Sequence, residues 1–495
     1  MPEGPSFAAI DLGAESGRVI IGEVSDGGVA LEQSHRFANR PVRLPDGLRW
    51  DLPALLREAL DGLSAGRGRR LCGIGVDAWG VDYGLLDERG RLLGLPFHYR
   101  DARTDGLLER AFARMTRQQL FAETGIQTMP INTAFQLLAD EGTPMFEAAQ
   151  SIALVPDLLS LWLCGELGNE STIASTTGLL RAGAARWARP VIEALRLPQR
   201  LFREVVEPGT QLGTLIDAHA RETGLHAAPP VFAVASHDTA AAFVAAPMPQ
   251  RGGSAVLCSG TWSLLGIELE EPVLSGAALA ANLTNERGLD GTTRLLKNVM
   301  GLWLLQQCRR AWGEEVSYDE LQRLAGEAGP EVPLFDPDAD EFLAPGDMPQ
   351  RIAAACRRTG QDPPDGRGAV VRSVLVSLAC KYRHVIEHLE HVTGSPLEAV
   401  HLLGGGAKNA LLCQLTADLT GRQVLAGPVE ASALGNVLVQ ARAAGLLSSR
   451  AEMREAALAA ARPTTYEPAE SGRDRHEGTY QRFVETTGLP TPAPA

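Results

Sequence analysis

The sequence predicts an α/β protein of at least two domains, and three observations carry that expectation. Strand-like apolar runs alternate with helical periodicity along most of the chain. A length of 495 residues is too great for one core. Finally, a strand-turn-strand segment rich in Gly and hydroxyl residues opens each half, as an internal duplication would leave.

In the first half, strands are expected at 7–10, 18–24, 71–76, 81–86, 151–155 and 231–235, with helices at 53–63, 105–118 and 134–140. The segment 245–253 holds Pro247, Pro249, Gly252 and Gly253, which interrupt the pattern and mark a boundary and hinge. It divides a domain at 1–246 from one at 247–460, leaving 461–495 as a C-terminal helix and a tail expected to be disordered over 490–495. The second half reads as strands near 255–258, 263–268 and 399–403 and helices near 298–312, 369–392 and 409–420. The acidic, proline-rich stretch 333–349 reads as a surface excursion. A helix over 431–445, rich in Ala, Leu and Gly, suits close packing on a sheet.

Four segments carry chemistry. In Ser236-His237-Asp238-Thr239 an acid follows an apolar run and opens a small-residue helix; it is well sited for proton transfer, and equally able to serve as a helix cap. The run Ile10-Asp11-Leu12-Gly13-Ala14-Glu15-Ser16-Gly17-Arg18 joins two strands by a turn whose N–H groups suit phosphate, with a strand-end carboxylate suited to hydrated magnesium. Cys258-Ser259-Gly260-Thr261-Trp262-Ser263 repeats the hairpin design. Leu403-Gly404-Gly405-Gly406-Ala407-Lys408 is a triple-glycine turn where backbone can approach a flat ligand. With 52 glycines in the chain no single turn means much, but the order hairpin, acid, hairpin, triple glycine does. Lys408 reads either as a phosphate contact or as a solvated lysine at a helix start, and Trp79, Trp262 and Trp303 read first as core anchors.

A formal charge of −14 with only short basic clusters offers no footprint for nucleic acid. Seven cysteines, an odd number without a CxxC pair, favour reduced thiols over disulfides or zinc. No signal segment precedes Phe7 and no apolar run approaches the ~20 residues that cross a bilayer, so a cytoplasmic protein without membrane partners is expected.

Over nearly all of residues 6–460 the chain resembles the FGGY family of carbohydrate kinases. That family lies in the actin-like, ribonuclease H-like superfamily of sugar kinases, hexokinase, heat-shock chaperones and actin. The matching runs include Trp50-Asp51, Gly75-Val76-Asp77-Ala78-Trp79-Gly80-Val81-Asp82-Tyr83, Tyr99-Arg100-Asp101, Ser236-His237-Asp238-Thr239, Ser259-Gly260-Thr261-Trp262-Ser263 and Gly427-Pro428-Val429-Glu430. The most specific is Lys297-Asn298-Val299-Met300-Gly301-Leu302-Trp303-Leu304-Leu305-Gln306. The resemblance implies two actin-like domains with an active-site cleft between them. It also implies ATP-dependent phosphorylation of a ketose at its 1-hydroxyl, with L-rhamnulose expected ahead of L-fuculose, L-ribulose or D-xylulose. By position, Asp238 is the proton acceptor, and Gly80, His237, Asp238, Thr239 and Asn298 bind the sugar. Ala14, Glu15, Ser16, Gly17, Arg18, Thr261, Gln306 and Gly405 bind ATP, and Asp11 serves Mg2+. Glu15 stands where a small or hydroxylated residue is expected, and is therefore expected to point away from the phosphates. The implied partners are sugar and ATP, for a monomer or homodimer.

Phosphoryl transfer asks for alignment, charge neutralisation and removal of one proton from the attacking alcohol. Because water competes as nucleophile, closure of two domains about 247–253 is expected. The rival reading, a nucleotide-driven switch without transfer, would need a binding appendage after 445, and none is visible.

Overall fold

The computed structural model describes residues 4–25, 28–225, 227–248, 253–313 and 316–492. The expected hinge therefore lies partly outside the described residues, at 249–252, as do 493–495 of the expected tail. The chain forms two compact units. One comprises Met1–Pro247, Glu268–Leu295 and Ala431–Ala461; the other comprises Met248–Ile267, Leu296–Glu430 and Arg462–Ala495. A linear division at 246/247 thus separates segments that packing groups together.

The first unit is built on a six-stranded sheet in the order Gln211–Thr214, Pro230–Phe232, Leu71–Ala78, Ser6–Leu12, Ser16–Ser25, Gly28–Ala38. The last three strands are successive antiparallel partners, and Ser6–Leu12 pairs in parallel with Leu71–Ala78. Every residue of Ser6–Leu12 is buried, as a central strand covered on both faces requires. Helix Ala431–Ala443 covers one face. A side chain at Gly75 would meet Asn436 at 2.5 Å, and a Cβ at Gly435 would lie 1.8 Å from the Ala241 carbonyl oxygen. Helices Ala431–Ala443 and Asp238–Val244 therefore touch backbone to backbone, which only small residues permit.

The second sheet has seven strands, in the order Thr284–Arg287, Thr293–Met300, Trp262–Leu269, Ser254–Ser259, Ala399–Leu403, Gln423–Ala426, Thr464–Tyr466. Ser254–Ser259 makes an antiparallel hairpin with Trp262–Leu269 and a parallel pair with Ala399–Leu403, which is parallel in turn to Gln423–Ala426. Once Gln211–Thr214 of the first sheet and Thr284–Arg287 and Thr464–Tyr466 of the second are set aside, the five remaining strands of each run third, second, first, fourth, fifth in chain order, so the duplicated hairpins open duplicated sheets. Helix Gly366–Thr393 buries Val374, Leu375, Leu378 and Tyr382, and Phe483 of helix Arg473–Thr487 is fully buried.

Several expected elements are corrected. The single helix at 105–118 is two, Leu107–Phe112 and Arg117–Thr124, because Thr116 and Gln119 form a capping box that starts the second afresh. Residues 298–300, expected helical, finish the strand Thr293–Met300, and the helix starts at Trp303. Gly301 makes that break against the second hairpin, where a Cβ would meet the Trp262 carbonyl carbon at 2.6 Å. The strand expected from 81 begins at Tyr83, since Val81 has φ 69°. The strand expected over 231–235 ends at Phe232. The stretch 333–349 is no mere surface excursion: Leu334, Phe335, Phe342 and Met348 are buried, and Lys381 Nζ, itself buried, pairs with Asp336 at 2.8 Å and Asp338 at 3.2 Å. Proline and acid composition hid an apolar anchor every few residues. All seven cysteines are free thiols, and among the described residues no helix is long and apolar enough to cross a membrane.

Candidate active site

Strand ends bring the chemistry of the first unit together. Asp11 lies near the end of Ser6–Leu12, in register with Arg18 on one side and Asp77 on the other. Arg18 Nε donates to Asp11 Oδ2 at 2.9 Å, and Asp11 is 2% exposed. Asp77 accepts from Asn436 Nδ2 at 2.6 Å, and Gln440 braces Asn436 at 2.7 Å while donating to the Ala8 carbonyl. Burial drives the Asp77 carboxyl well above the usual range, and the charges of Asp11 and Asp238 push it further, against the Asn436 bond. Among the described residues Asp77 Oδ1 is buried with no hydrogen-bond partner.

The turn after Asp11 is closed by Gly13 N–H to the Ser16 carbonyl at 2.9 Å and clamped by Asn39, which donates through Nδ2 to Gly13 O and through its own N–H to Glu15 O. This fixes the backbone of Ala14, Glu15, Ser16 and Gly17 without using their side chains. Desolvation pushes the buried Arg100 guanidinium below its ordinary value, against Tyr99 and, to a smaller extent, the Glu15 carboxylate, which favour its charged form.

Asp238 opens helix Asp238–Val244. Its Oδ1 accepts from Thr239 N at 2.5 Å and from Thr239 Oγ1 at 3.1 Å, and lies 3.4 Å from His237 Nε2. Both Thr239 donors converge on Oδ1. Desolvation raises the Asp238 carboxyl; His237 and the Thr239 bonds oppose it, while Asp11 adds to it. The segment before the helix is held by Glu170, a fully buried carboxylate that takes Ser236 N–H at 3.0 Å and Thr172 Oγ1 at 2.6 Å, and Thr172 Oγ1 accepts His237 N–H at 3.3 Å.

His237 bridges Ala78, and Ala78 N–H donates to Ser236 O, which brings Gly80 to the same strand end. Gly80 packs tightly under Thr176, whose Oγ1 accepts Val81 N–H at 3.1 Å. Thr133 Oγ1 donates to Val81 O at 2.6 Å, and these bonds hold a β-branched residue in the left-handed region. Below it Asp82 collects Trp50 Nε1 at 2.6 Å, Trp79 Nε1 at 3.1 Å, Tyr99 N at 3.2 Å and Gln136 Nε2 at 2.9 Å. Trp79 is thus a core anchor of this wall.

In the second unit, Gln306 Nε2 donates to Thr261 Oγ1 at 3.3 Å, and Trp303 N–H caps Thr261 O at 3.1 Å. Gln306 Oε1 is buried without a partner among the described residues, an acceptor that a bound group could satisfy. The triple glycine lies on the same hairpin: a Cβ at Gly406 would be 2.2 Å from Ser259 Oγ, whereas one at Gly405 would meet nothing within 4 Å. Thr261 and Gln306 thus touch directly, while Gly405 precedes the glycine that packs on Ser259 of the same hairpin. Asn298 sits on the strand Thr293–Met300, which also carries Arg294.

Among the described residues no group of three or more His, Cys, Asp or Glu side chains is arranged to hold a metal ion.

The fold is shared with solved sugar kinases. A gluconate kinase from Lactobacillus acidophilus superposes with TM-score 0.78 at 14% identity, covering 97% of each chain. A xylulose kinase from Rhodospirillum rubrum gives 0.75 at 20% identity, covering 97% of this chain and 98% of that one. These define the class as a two-domain, actin-like sugar-kinase fold. Residues 7–245 match the N-terminal domain and 255–444 the C-terminal domain of the FGGY family of carbohydrate kinases, and the chain belongs to that family. Curated relatives include a rhamnulokinase of Bacteroides thetaiotaomicron, 44% identical over 94% of this chain and 96% of its own length, and one of Bacillus subtilis, 37% identical over 91% and 92%. The protein is an ATP-dependent carbohydrate kinase.

Residue-by-residue reading of the sequence assigned no role to Asp77, Asn436, Glu286, Arg294 or Asn39. Asp77 carried a usable signal, an Asp ending an apolar strand just as Asp11 does. The others become visible only when distant segments meet.

Proposed function

We propose that this kinase transfers the γ-phosphoryl group of ATP to the 1-hydroxyl of L-rhamnulose, giving L-rhamnulose 1-phosphate and ADP. The substrate is carried by one observation: relatives 37% to 44% identical over more than nine-tenths of the chain bear the name rhamnulokinase. In this reading Asp238 Oδ2 takes the hydroxyl proton while Oδ1 stays held by Thr239, with His237 Nε2 3.4 Å away. Gly80, His237, Thr239 and Asn298 read the sugar. The clamped backbone of Ala14, Glu15, Ser16, Gly17 and Arg18 meets the phosphates, and Thr261, Gln306 and Gly405 meet the rest of the nucleotide. Asp11 would hold magnesium, which when bound neutralises charge on the transferring group. We read the enzyme as cytoplasmic, a monomer or homodimer acting on small molecules.

A coupled ADP-release assay across ketoses tests this. L-rhamnulose should give the highest kcat/KM, with L-fuculose and L-ribulose poorer and glycerol negligible, because a wrong stereocentre leaves buried polar groups unpaired at ~1 to 3 kcal/mol each. A tenfold advantage for another ketose overturns the substrate.

A further inference from the structure

Behind His237 lies a buried ion pair that the proposed chemistry does not use. Arg294 is 0% and Glu286 3% exposed, and Arg294 Nη2 lies 3.1 Å from Glu286 Oε2. The same guanidinium nitrogen reaches His237 Nδ1 at 3.2 Å, with Glu286 Oε2 also 3.2 Å from that Nδ1. On the opposite side of the ring, Nε2 lies 3.4 Å from Asp238 Oδ1. Arg294 is further tied by Nε to the Arg287 carbonyl at 3.2 Å, so its position does not depend on His237.

Two neutral tautomers are possible, and their surroundings distinguish them. With the proton on Nδ1, the ring could donate to Glu286 Oε2 at 3.2 Å, but the same N–H would lie equally close to a guanidinium that has only donors. It would also set the Nε2 lone pair against an oxygen of Asp238. With the proton on Nε2, Arg294 donates to Nδ1, Nε2–H faces Asp238 Oδ1, and Glu286 serves as counter-ion to a guanidinium that stays charged when buried.

We propose that Arg294 and Glu286 are positioning residues for catalysis, fixing His237 as the Nε2–H tautomer so that its N–H faces Asp238 Oδ1 at 3.4 Å and Oδ2 is left to accept the sugar proton. The proposal rests on Asp238 being the base, and deepens that reading by naming what sets its orientation.

The decisive measurement uses the native chain. Long-range 15N–1H spectra of protein labelled at its ten histidines, with the His237 signal identified from His237→Gln, should show His237 protonated at Nε2. Arg294→Met should lower kcat by ~10- to 100-fold with KM for ATP within about twofold of wild type, and Arg294→Lys, which restores a donor, should recover most of the loss. An Nδ1-protonated His237, or a folded Arg294→Met enzyme with wild-type kcat, overturns the proposal. Should Arg294→Met fail to fold, the native spectrum and Arg294→Lys still decide it. Asp238→Asn run alongside separates the two layers: if that variant turns over normally, the base assignment fails; if it is inactive while the histidine result is adverse, only the positioning role fails.

Discussion

The two hairpins share a strand-turn-strand backbone and the same place in their sheets, yet they carry opposite chemistry. Around the first turn stand Asp11, Glu15 and Arg18, with Asp77 in register on the next strand. Around the second, no ionisable residue occurs from Ser259 to Ile267; hydroxyls, Gln306 and glycine backbone face the turn. A duplicated scaffold can thus be divided by side chains alone. In the proposed reading both turns meet the nucleotide, and they differ in what stands beside the backbone: carboxylates suited to magnesium near the first turn, neutral hydrogen-bonding groups near the second.

The comparison breaks most readily at Asp238. Asp238→Asn should lower turnover ~10²- to 10⁴-fold while nucleotide binding, measured by calorimetry, stays near wild type. Near-normal turnover would mean that the carboxylate side of the molecule is not where the proton goes. The pH profile sharpens the same point. Desolvation and Asp11 raise the Asp238 carboxyl above its ordinary 3.8, and a base works only when ionised. The acid limb of kcat/KM should therefore fall off at a pH above the ordinary carboxylate range, and a limb at or below that range counts against the assignment.

Asp82 extends the contrast to stability. Burial raises its carboxyl from 3.8 to about 6, against the bonds from Gln136, Trp50 and Trp79. Held more tightly protonated when folded than when unfolded, this group favours folding below its unfolded value, and the benefit is lost as pH rises through about 4 to 6. The shift amounts to about 3 kcal/mol at 1.36 per pKa unit. Asp82→Asn, neutral throughout, lacks that slope, so the stability gap between wild type and variant should narrow with rising pH in urea melts from pH 4.5 to 7. A gap that widens would refute the sign. Even at pH 7 the variant should be less stable by ~1 to 3 kcal/mol, because an amide nitrogen must face one of four donors.

The fold was legible because strand ends such as Ile10-Asp11 and the glycine turns announce themselves locally, and the contacts Gln306 to Thr261 and His237 to Asp238 join residues already singled out. What escaped was non-local. Asn436 reaches Asp77 across 359 positions of chain, and Arg294 reaches His237 across 57. Val81 took the left-handed region against its β-branched preference because Thr133 and Thr176 hold it there. Leu334 and Phe342 were hidden among prolines and acids whose composition suggested solvent.

The finest division falls between adjacent glycines of the second unit. A Cβ on Gly406 would sit 2.2 Å from Ser259 Oγ and 2.5 Å from its Cβ, so Gly406→Ala must displace the hairpin and should cost ~1 to 3 kcal/mol in thermal unfolding. Gly405 has nothing within 4 Å of its Cβ position and no left-handed φ, so Gly405→Ala should fold as well as wild type. Its effect should appear only when a nucleotide lies against that backbone, as a KM for ATP raised about tenfold, equivalent to about 1.4 kcal/mol, with KM for sugar unchanged. If Gly405→Ala leaves the KM for ATP untouched, the triple glycine is a packing turn and the nucleotide surface ends at Thr261 and Gln306; if it raises both constants together, the neutral hairpin is not reserved for the nucleotide and the division between the two copies fails.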